Sequence, residues 1–224
     1  SSSKLFFKLL HLRGNQRYEI SLMEQLIIQA KQGSQTAFRQ LMQDWYPQVY
    51  QFAWKYFAGG SRVEDPHNPA EEVAQKTFIS VHKNLEKLRE HARFKSWLFR
   101  IASNYCYEED RKSRRRDMQY LGTQGAEESE LRYLQSDYPT PYKQSLRKDI
   151  SYWVLKALDQ LSPEQRSVMI LKEYQGLKFR EIADALEISE NTAKSRLYAG
   201  LQHMRLYLER KKITEESLRY GYDV

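Results

Sequence analysis

The sequence predicts an all-α protein: two small helical domains joined by a flexible linker, the second carrying a helix-turn-helix. Three observations predict it. Apolar residues recur at steps of three and four along most of the chain, with no sustained strand-like alternation. That pattern dissolves between Asp117 and Pro141, in a stretch with glycine, proline and an acidic cluster at Glu127, Glu128 and Glu130. Near the end, two short apolar-periodic segments meet at Glu187-Ile188-Ser189, as two helices crossing at a tight turn would.

Taken in order, residues 1–19 form an N-terminal extension. Ser1 to Ser3 read as a remnant of an expression tag, and Leu5 to Leu12 as a short amphipathic helix that docks on the protein. Its apolar run is broken by Lys8, ends at His11 and Arg13, and is too short to span a bilayer. With no small-residue cleavage site beside it, neither a signal peptide nor stable membrane insertion is expected. The first domain, residues 20–116, opens with Leu22, Leu26, Ile27 and Ala30, then breaks at Gly33-Ser34. It resumes as a helix through Phe38, Leu41, Trp45, Val49, Phe52 and Phe57, bent near Pro47.

Gly59 to Pro69 is a loop by composition, and Asn68-Pro69 starts the next helix, which runs to about Leu88. Val73, Phe78, Val81 and Leu85 face inward there, leaving Glu71, Glu72, Gln75 and Lys76 exposed. A turn from Arg89 to Arg93 leads into FKSWLFRIASNYCYEEDRKSRRR, where Phe94, Trp97, Leu98, Ile101 and Tyr105 trace an apolar stripe. Arg93, Arg100, Asn104 and Arg111 lie on other faces, and the basic run Arg111 to Arg116 closes the helix. Such a run complements the negative helix end, but its density also suits a surface that tracks a phosphate backbone. Trp97 reads as core.

After the linker, residues 117–141, helical periodicity returns over 142–212, and a tail covers 213–224. Ser162, Pro163 and Glu164 to Gln165 form a helix start: a hydroxyl cap, proline at the first helical position and a carboxylate near the positive helix end. In EIADALEISENTAKSRLYAGLQ, Ile182, Ala183 and Leu186 face inward on the first helix, and Ala193 with Leu197 on the second. Asn191, Thr192, Lys194, Ser195, Arg196 and Tyr198 then point outward near the second helix's start, where side chains reach base edges in a major groove. Leu177, Lys178 and Arg180 are placed to hold flanking phosphates. The same pattern fits a helical hairpin with a solvated polar face. Glu187 stands where glycine usually supplies a positive φ, at a cost on the order of 1 kcal/mol.

Charge and composition narrow the classes. Lys and Arg number 36 against 29 Asp and Glu, a net charge of +7 that favours a polyanionic partner. The single cysteine, Cys106, builds neither a disulfide nor a thiolate metal site, which fits a reducing cytoplasm, and it reads as a small buried residue. No constellation of His, carboxylate or glycine-rich loop supports catalysis, so no catalytic residue, metal or cofactor is expected.

Three segments in order, PAEEVAQKTFISVHKNL, then FKSWLFRIASNYCYEEDRKSRRR, then ALDQLSPEQRSVMILKEYQGLKFREIADALEISENTAKSRLYAGL, resemble an extracytoplasmic-function (ECF) sigma factor of bacterial RNA polymerase. The resemblance covers both helical domains. It implies a promoter-specificity subunit whose partners are core RNA polymerase, promoter DNA and an anti-sigma factor. It implies that Glu71, Glu72, Gln75 and Lys76 face the polymerase. Asn84, His91, Arg93, Arg100, Asn104, Arg111, Arg114 and Arg115 then serve the −10 element, where a flipped base is captured. Lys178, Arg180, Asn191, Thr192, Lys194, Ser195, Arg196 and Tyr198 serve the −35 element. The sequence departs from the family where Ala199 and Gly200 replace a common arginine. The alternative is a helix-turn-helix regulator that never joins polymerase; the first domain argues against it, since a repressor needs a ligand or dimer domain there.

Overall fold

The computed structural model describes residues 22–59, 65–123 and 150–213. The expected helix Leu5 to Leu12, the linker beyond Thr123, the stretch from Tyr142 to the next helix, and the tail beyond Ile213 lie outside the described residues. The described chain is all-α. Helix α1 covers residues 22–31, α2 Gln35–Phe57, α3 His67–Asn84 and α4 Phe94–Thr123, with single 3-10 turns at Leu85–Lys87 and His91–Arg93. The second half holds α5 (Ile150–Asp159), α6 (Pro163–Glu173), α7 (Phe179–Leu186) and α8 (Glu190–Arg210).

Local chemistry sets these boundaries. Gly33 takes a φ of 92° and ends α1, and the Ser34 hydroxyl accepts from the Ala37 amide at 3.3 Å to start α2. Helix α2 continues through Pro47, where the expected bend does not end it. Helix α3 begins at His67, two residues before Pro69, with the Asp65 carboxylate accepting from the His67 amide at 2.9 Å. At the start of α6 the expected Ser162 cap forms and Gln165 makes it reciprocal: Ser162 Oγ accepts from the Gln165 amide at 3.2 Å while Gln165 Oε1 accepts from the Ser162 amide at 3.3 Å. Helix α4 runs past the expected boundary at Arg116 to Thr123.

In the first half α2, α3 and α4 pack on one another around Phe52, Tyr56, Phe78, Phe94, Leu98 and Phe99, all buried. Lys31 of α1 donates to the Leu88 carbonyl at 2.9 Å, tying α1 to the turn after α3. The stripe on α4 sits one step from the expected one: Phe94, Leu98, Phe99, Ala102 and Cys106 are fully buried, whereas Trp97, Ile101 and Tyr105 are half-buried. The 3.6-residue period places positions 98, 99, 102 and 106 nearest the core axis, so the larger rings flank it. In the second half α8 crosses α5, α6 and α7 over Leu158, Ile170, Leu171, Leu177, Ile182 and Leu197. Gly200 is buried here, and a Cβ on it would stand 3.3 Å from Met169 Cε. A side chain at that position has to displace the Met169 tip, so Gly200 serves the close approach of α8 to α6.

The two halves pack together, and their buried apolar side chains form one contiguous cluster. At its centre lies Arg166 of α6, 5% exposed. Its guanidinium donates to the Leu158 carbonyl at 3.1 Å, the Asp159 carbonyl at 2.7 Å, the Leu161 carbonyl at 3.3 Å and, across the halves, the Tyr56 carbonyl at 2.9 Å. These carbonyls close the ends of α5 and α2, where helices leave acceptors unpaired and a cation is favoured. The Asp159 carboxylate at 3.1 Å balances the charge, and the guanidinium lies 5.1 Å from the Tyr56 ring centre.

Arg166→Ala removes all of these donors and leaves buried carbonyls without partners. It is expected to lower the unfolding free energy by about 3 kcal/mol, read as an earlier urea midpoint at unchanged slope.

Candidate nucleic-acid interface

The turn between α7 and α8 is tight and capped on both sides. Glu187 adopts the left-handed conformation (φ 55°, ψ 44°) with its amide donating to the Ala183 carbonyl, so the position expected to favour glycine does take the positive φ. Ser189 caps α8: its hydroxyl accepts from the Thr192 amide at 3.0 Å and meets the Thr192 hydroxyl at 2.8 Å. Ser195 Oγ donates to the Thr192 carbonyl at 3.0 Å. Ala193, Leu197 and Gly200 are buried against α5 to α7, and Asn191, Lys194, Ser195 and Tyr198 are exposed on the opposite side. Tyr198, at 64%, is the most open large apolar side chain of this helix.

Thr192 and Arg196 stand on the flank instead and are half-buried. The Arg196 charge acts on the Tyr107 phenol of α4, whose pKa burial raises to about 12 and Arg196 opposes. Both residues were expected on the outward face. The helical wheel explains the difference: 192 and 196 lie between the inward line 193/197/200 and the outward line 191/195/198. Lys178 and Arg180 are exposed at the start of α7, and the Glu181 carboxylate accepts from the Lys178 amide at 2.7 Å. Leu177, expected to sit near phosphates, is fully buried.

On α4, Asn104, Arg111, Arg114 and Arg115 are exposed. Arg114 pairs with Asp110 at 2.9 Å, and Arg93 with Glu90 at 2.8 Å. Asn84 donates to the Ser80 carbonyl at 2.9 Å and accepts from Lys87 at 2.8 Å, so both ends of its amide are used within the protein. His91 is half-buried in the 3-10 turn before α4. A cleft opens here, with Arg93, Ser96, Trp97 and Arg100 on one wall and the turn residues Lys87 to Glu90 on the other; Asp184 of α7 also lines it. Trp97, read from sequence as core, is a wall of this cleft. Asp184 was missed altogether, because only tertiary packing brings α7 to α4.

Across the first half, α3 exposes Glu71, Glu72 and Gln75, with Gln75 donating to Glu71 at 3.3 Å. Lys76 is less free than expected: it bridges Glu72 at 2.5 Å and Glu109 of α4 at 2.9 Å. Those two hydrogen bonds, to Glu72 first, hold its ammonium above the usual lysine range. Burial works to raise the Glu109 carboxyl, but hydrogen bonds from Lys76 and Lys112 outweigh it and hold the group below the usual carboxylate range. Lys76 is thus a strut between α3 and α4, and Glu71, Glu72 and Gln75 make up the exposed polar face beside it. Among the described residues, no cluster of three His, Cys, Asp or Glu side chains is arranged to hold a metal ion. No helix among them is long and apolar enough to cross a membrane.

Two family models match these two halves: the Sigma-70 region 2 model over residues 41–116 and the Sigma-70 region 4 model over residues 151–204. The chain belongs to the sigma-70 family. It is a sigma factor, the class of protein that directs RNA polymerase to promoters, and many of its curated relatives are ECF sigma factors. It is 25% identical to the ECF RNA polymerase sigma factor SigW of Bacillus subtilis, over 84% of this chain and 97% of that protein. It is 27% identical to the RNA polymerase sigma-H factor of Pseudomonas aeruginosa, over 78% of this chain and 88% of the relative. Solved structures share the fold. CnrH, in complex with the cytosolic domain of CnrY, aligns with a TM-score of 0.59 at 22% identity, over 84% of this chain and 98% of CnrH. The sigma factor RpoE, in complex with the anti-sigma factor NepR from Bartonella quintana, aligns at 0.56 and 23%, over 77% and 96%. In this sigma factor, region 2 therefore runs from within α2 into α4, and region 4 from α5 through most of α8.

Ser189→Ala in the sigma factor is expected to cost about 1 kcal/mol through loss of the α8 cap, measured as a lower thermal midpoint. The Glu109 ion pair stabilises the fold above the ordinary carboxylate pKa, and its contribution fades as pH falls through the depressed folded value. Glu109→Gln is accordingly less stable than the parent at neutral pH, and the gap in urea midpoint closes as pH falls below the ordinary carboxylate range.

Proposed function

We propose that this sigma factor joins core RNA polymerase through the exposed Glu71, Glu72 and Gln75 of α3. The face of α4 with Arg100, Asn104, Arg111, Arg114 and Arg115 then captures the −10 strand, and α8 reads the −35 duplex. The observation that carries this reading is the division of α8. Ala193, Leu197 and Gly200 anchor the helix while Asn191, Lys194, Ser195 and Tyr198 stand open at its start, on the same chain as a basic α4. A groove-reading helix needs that geometry, with side chains near its amino end free to meet base edges. Arg196, on the flank toward α4, takes a phosphate rather than a base. Lys178 and Arg180 at the start of α7 set the docking angle on the backbone.

The protein carries no catalytic chemistry of its own in this reading, and it works in the cytoplasm, where the polymerase and promoter are. Its solved relatives are bound to the cytosolic domain of CnrY and to the anti-sigma factor NepR, which supports an anti-sigma partner for this chain as well. A regulator acting without polymerase is not favoured, because such a protein has no use for a region 2 domain.

With purified core polymerase and a library of genomic fragments, run-off transcription is expected to yield discrete promoter-dependent products; none would appear from a protein that binds DNA alone. On one such promoter, Asn191→Ala and Ser195→Ala are expected to cost about 1–3 kcal/mol in a base-dependent way. Lys194→Ala and Arg196→Ala weaken all sequences alike and flatten the salt dependence.

A further inference from the structure

Between α2 and α3 the first half leaves an apolar groove of about 380 Å³. Phe38 meets His82 edge-on at one end, with ring centres 4.9 Å apart, and Tyr46 stacks on Phe78 at 5.8 Å further along. Ile79 lines the groove and is 55% exposed. Open apolar surface with a polar rim marks a contact site. The rim differs between the two ends. Lys83 stands with His82 near Phe38, whereas Gln75 lines the Tyr46 end and donates to Glu71 at 3.3 Å. Burial, then the Glu71 charge, holds the Tyr46 phenol above its usual range, so that carboxylate acts on the groove itself.

The chain itself supplies a match for this surface. Leu5, Phe6, Phe7, Leu9, Leu10 and Leu12 are apolar, Lys4, Lys8 and Arg13 are cationic, and no acidic residue lies among them. The tether also suffices. The Ser34 amide donates to the Gln29 carbonyl at 3.0 Å, which folds α1 back on the start of α2. At a rise of about 1.5 Å per residue, Leu22 at the head of α1 therefore stands within roughly 25 Å of Phe38. The stretch from Leu12 to Leu22 spans about 33 Å when extended.

We propose that the segment Leu5 to Leu12 docks in the α2–α3 groove of its own chain, entering with Leu12 at the Phe38 end and setting Lys4 and Lys8 toward Glu71. Apolar side chains fill the groove and the cations meet its acidic rim, in the manner of an amphipathic segment laid into a complementary slot. Docked there, the segment lies against Gln75 and Glu71 and competes with polymerase for the polar face of α3. Affinity for polymerase is then reduced by the fraction of molecules in which the groove is filled. The competition rests on the reading of α3 as the polymerase face; the docking itself does not.

Docking is tested by disulfide trapping in the full chain. Leu9→Cys is combined with Ile79→Cys in the groove or, as a control, with Leu201→Cys on α8; both partner positions are exposed, so the fold is kept, and Cys106 is buried out of reach. Under copper phenanthroline at low protein concentration, the groove pair is expected to close about tenfold faster than the control, because docking raises its effective concentration. The readout is a faster-running monomer band on a non-reducing gel. Equal rates for the two pairs would overturn the docking, as would a crosslinked dimer as the main product, since the groove would then take the segment of a second copy. Leu9→Glu, which expels the segment, is expected to tighten binding to purified core polymerase about threefold, and Glu71→Ala to weaken it. If Glu71→Ala weakens binding and Leu9→Glu changes nothing, the competition fails and the docking stands. If neither variant changes the affinity, the polymerase reading of α3 fails with it.

Discussion

A buried guanidinium organises this molecule. Arg166 ends α5 and α2 at once, because one planar fork reaches from α6 to the last carbonyls of both helices. A lysine at that site would offer a point charge and fewer directed donors. Everything downstream leans on this junction: α5 and α6 set the platform on which α8 lies, and the link to Tyr56 fixes the second half against the end of α2. The aromatic floor of the first half, Phe52 against Phe99 and Tyr56 against Tyr107, is thereby shared with the second.

Two kinds of polar interaction divide the labour in the rest of the structure. Buried or half-buried ones, Arg166 and the Lys76–Glu109 strut, hold helices in place. Exposed ones, such as Arg114–Asp110 and Arg93–Glu90, keep cationic side chains ordered at little energetic worth and yield readily to a phosphate. That contrast makes a basic surface usable: α4 keeps its shape from its buried stripe, while its arginines remain exchangeable.

Much of this was legible in the sequence because it depended on neighbours in the chain. The Gly33-Ser34 break, the Ser162 cap and the inward line Ile182, Ala193, Leu197 all follow from short-range rules. The misplacements have a common cause as well. Trp97, Ile101 and Tyr105 were placed on the inward stripe by their three- and four-residue spacing, whereas the packing centres the buried face on Phe99, Ala102 and Cys106 and leaves those three at its edge. Lys76, Arg100 and Arg196 were assigned to partners by charge, yet each meets a residue far along the chain. Nothing in the local pattern around Arg166 announced a junction between halves, since it is defined by what packs against it. Glu187 did announce itself, as a residue where glycine was expected, and its backbone takes the left-handed conformation.

The long α4 adds a geometric consequence. It carries the chain continuously from the cleft at Phe94 to Thr123, and α5 begins at Ile150. A helix rises about 1.5 Å per residue, so α4 alone extends roughly 45 Å. The exposed Arg111, Arg114 and Arg115 therefore stand about three to four helical turns beyond Arg100, well away from the seam between the halves, and their surroundings are set by α4 alone.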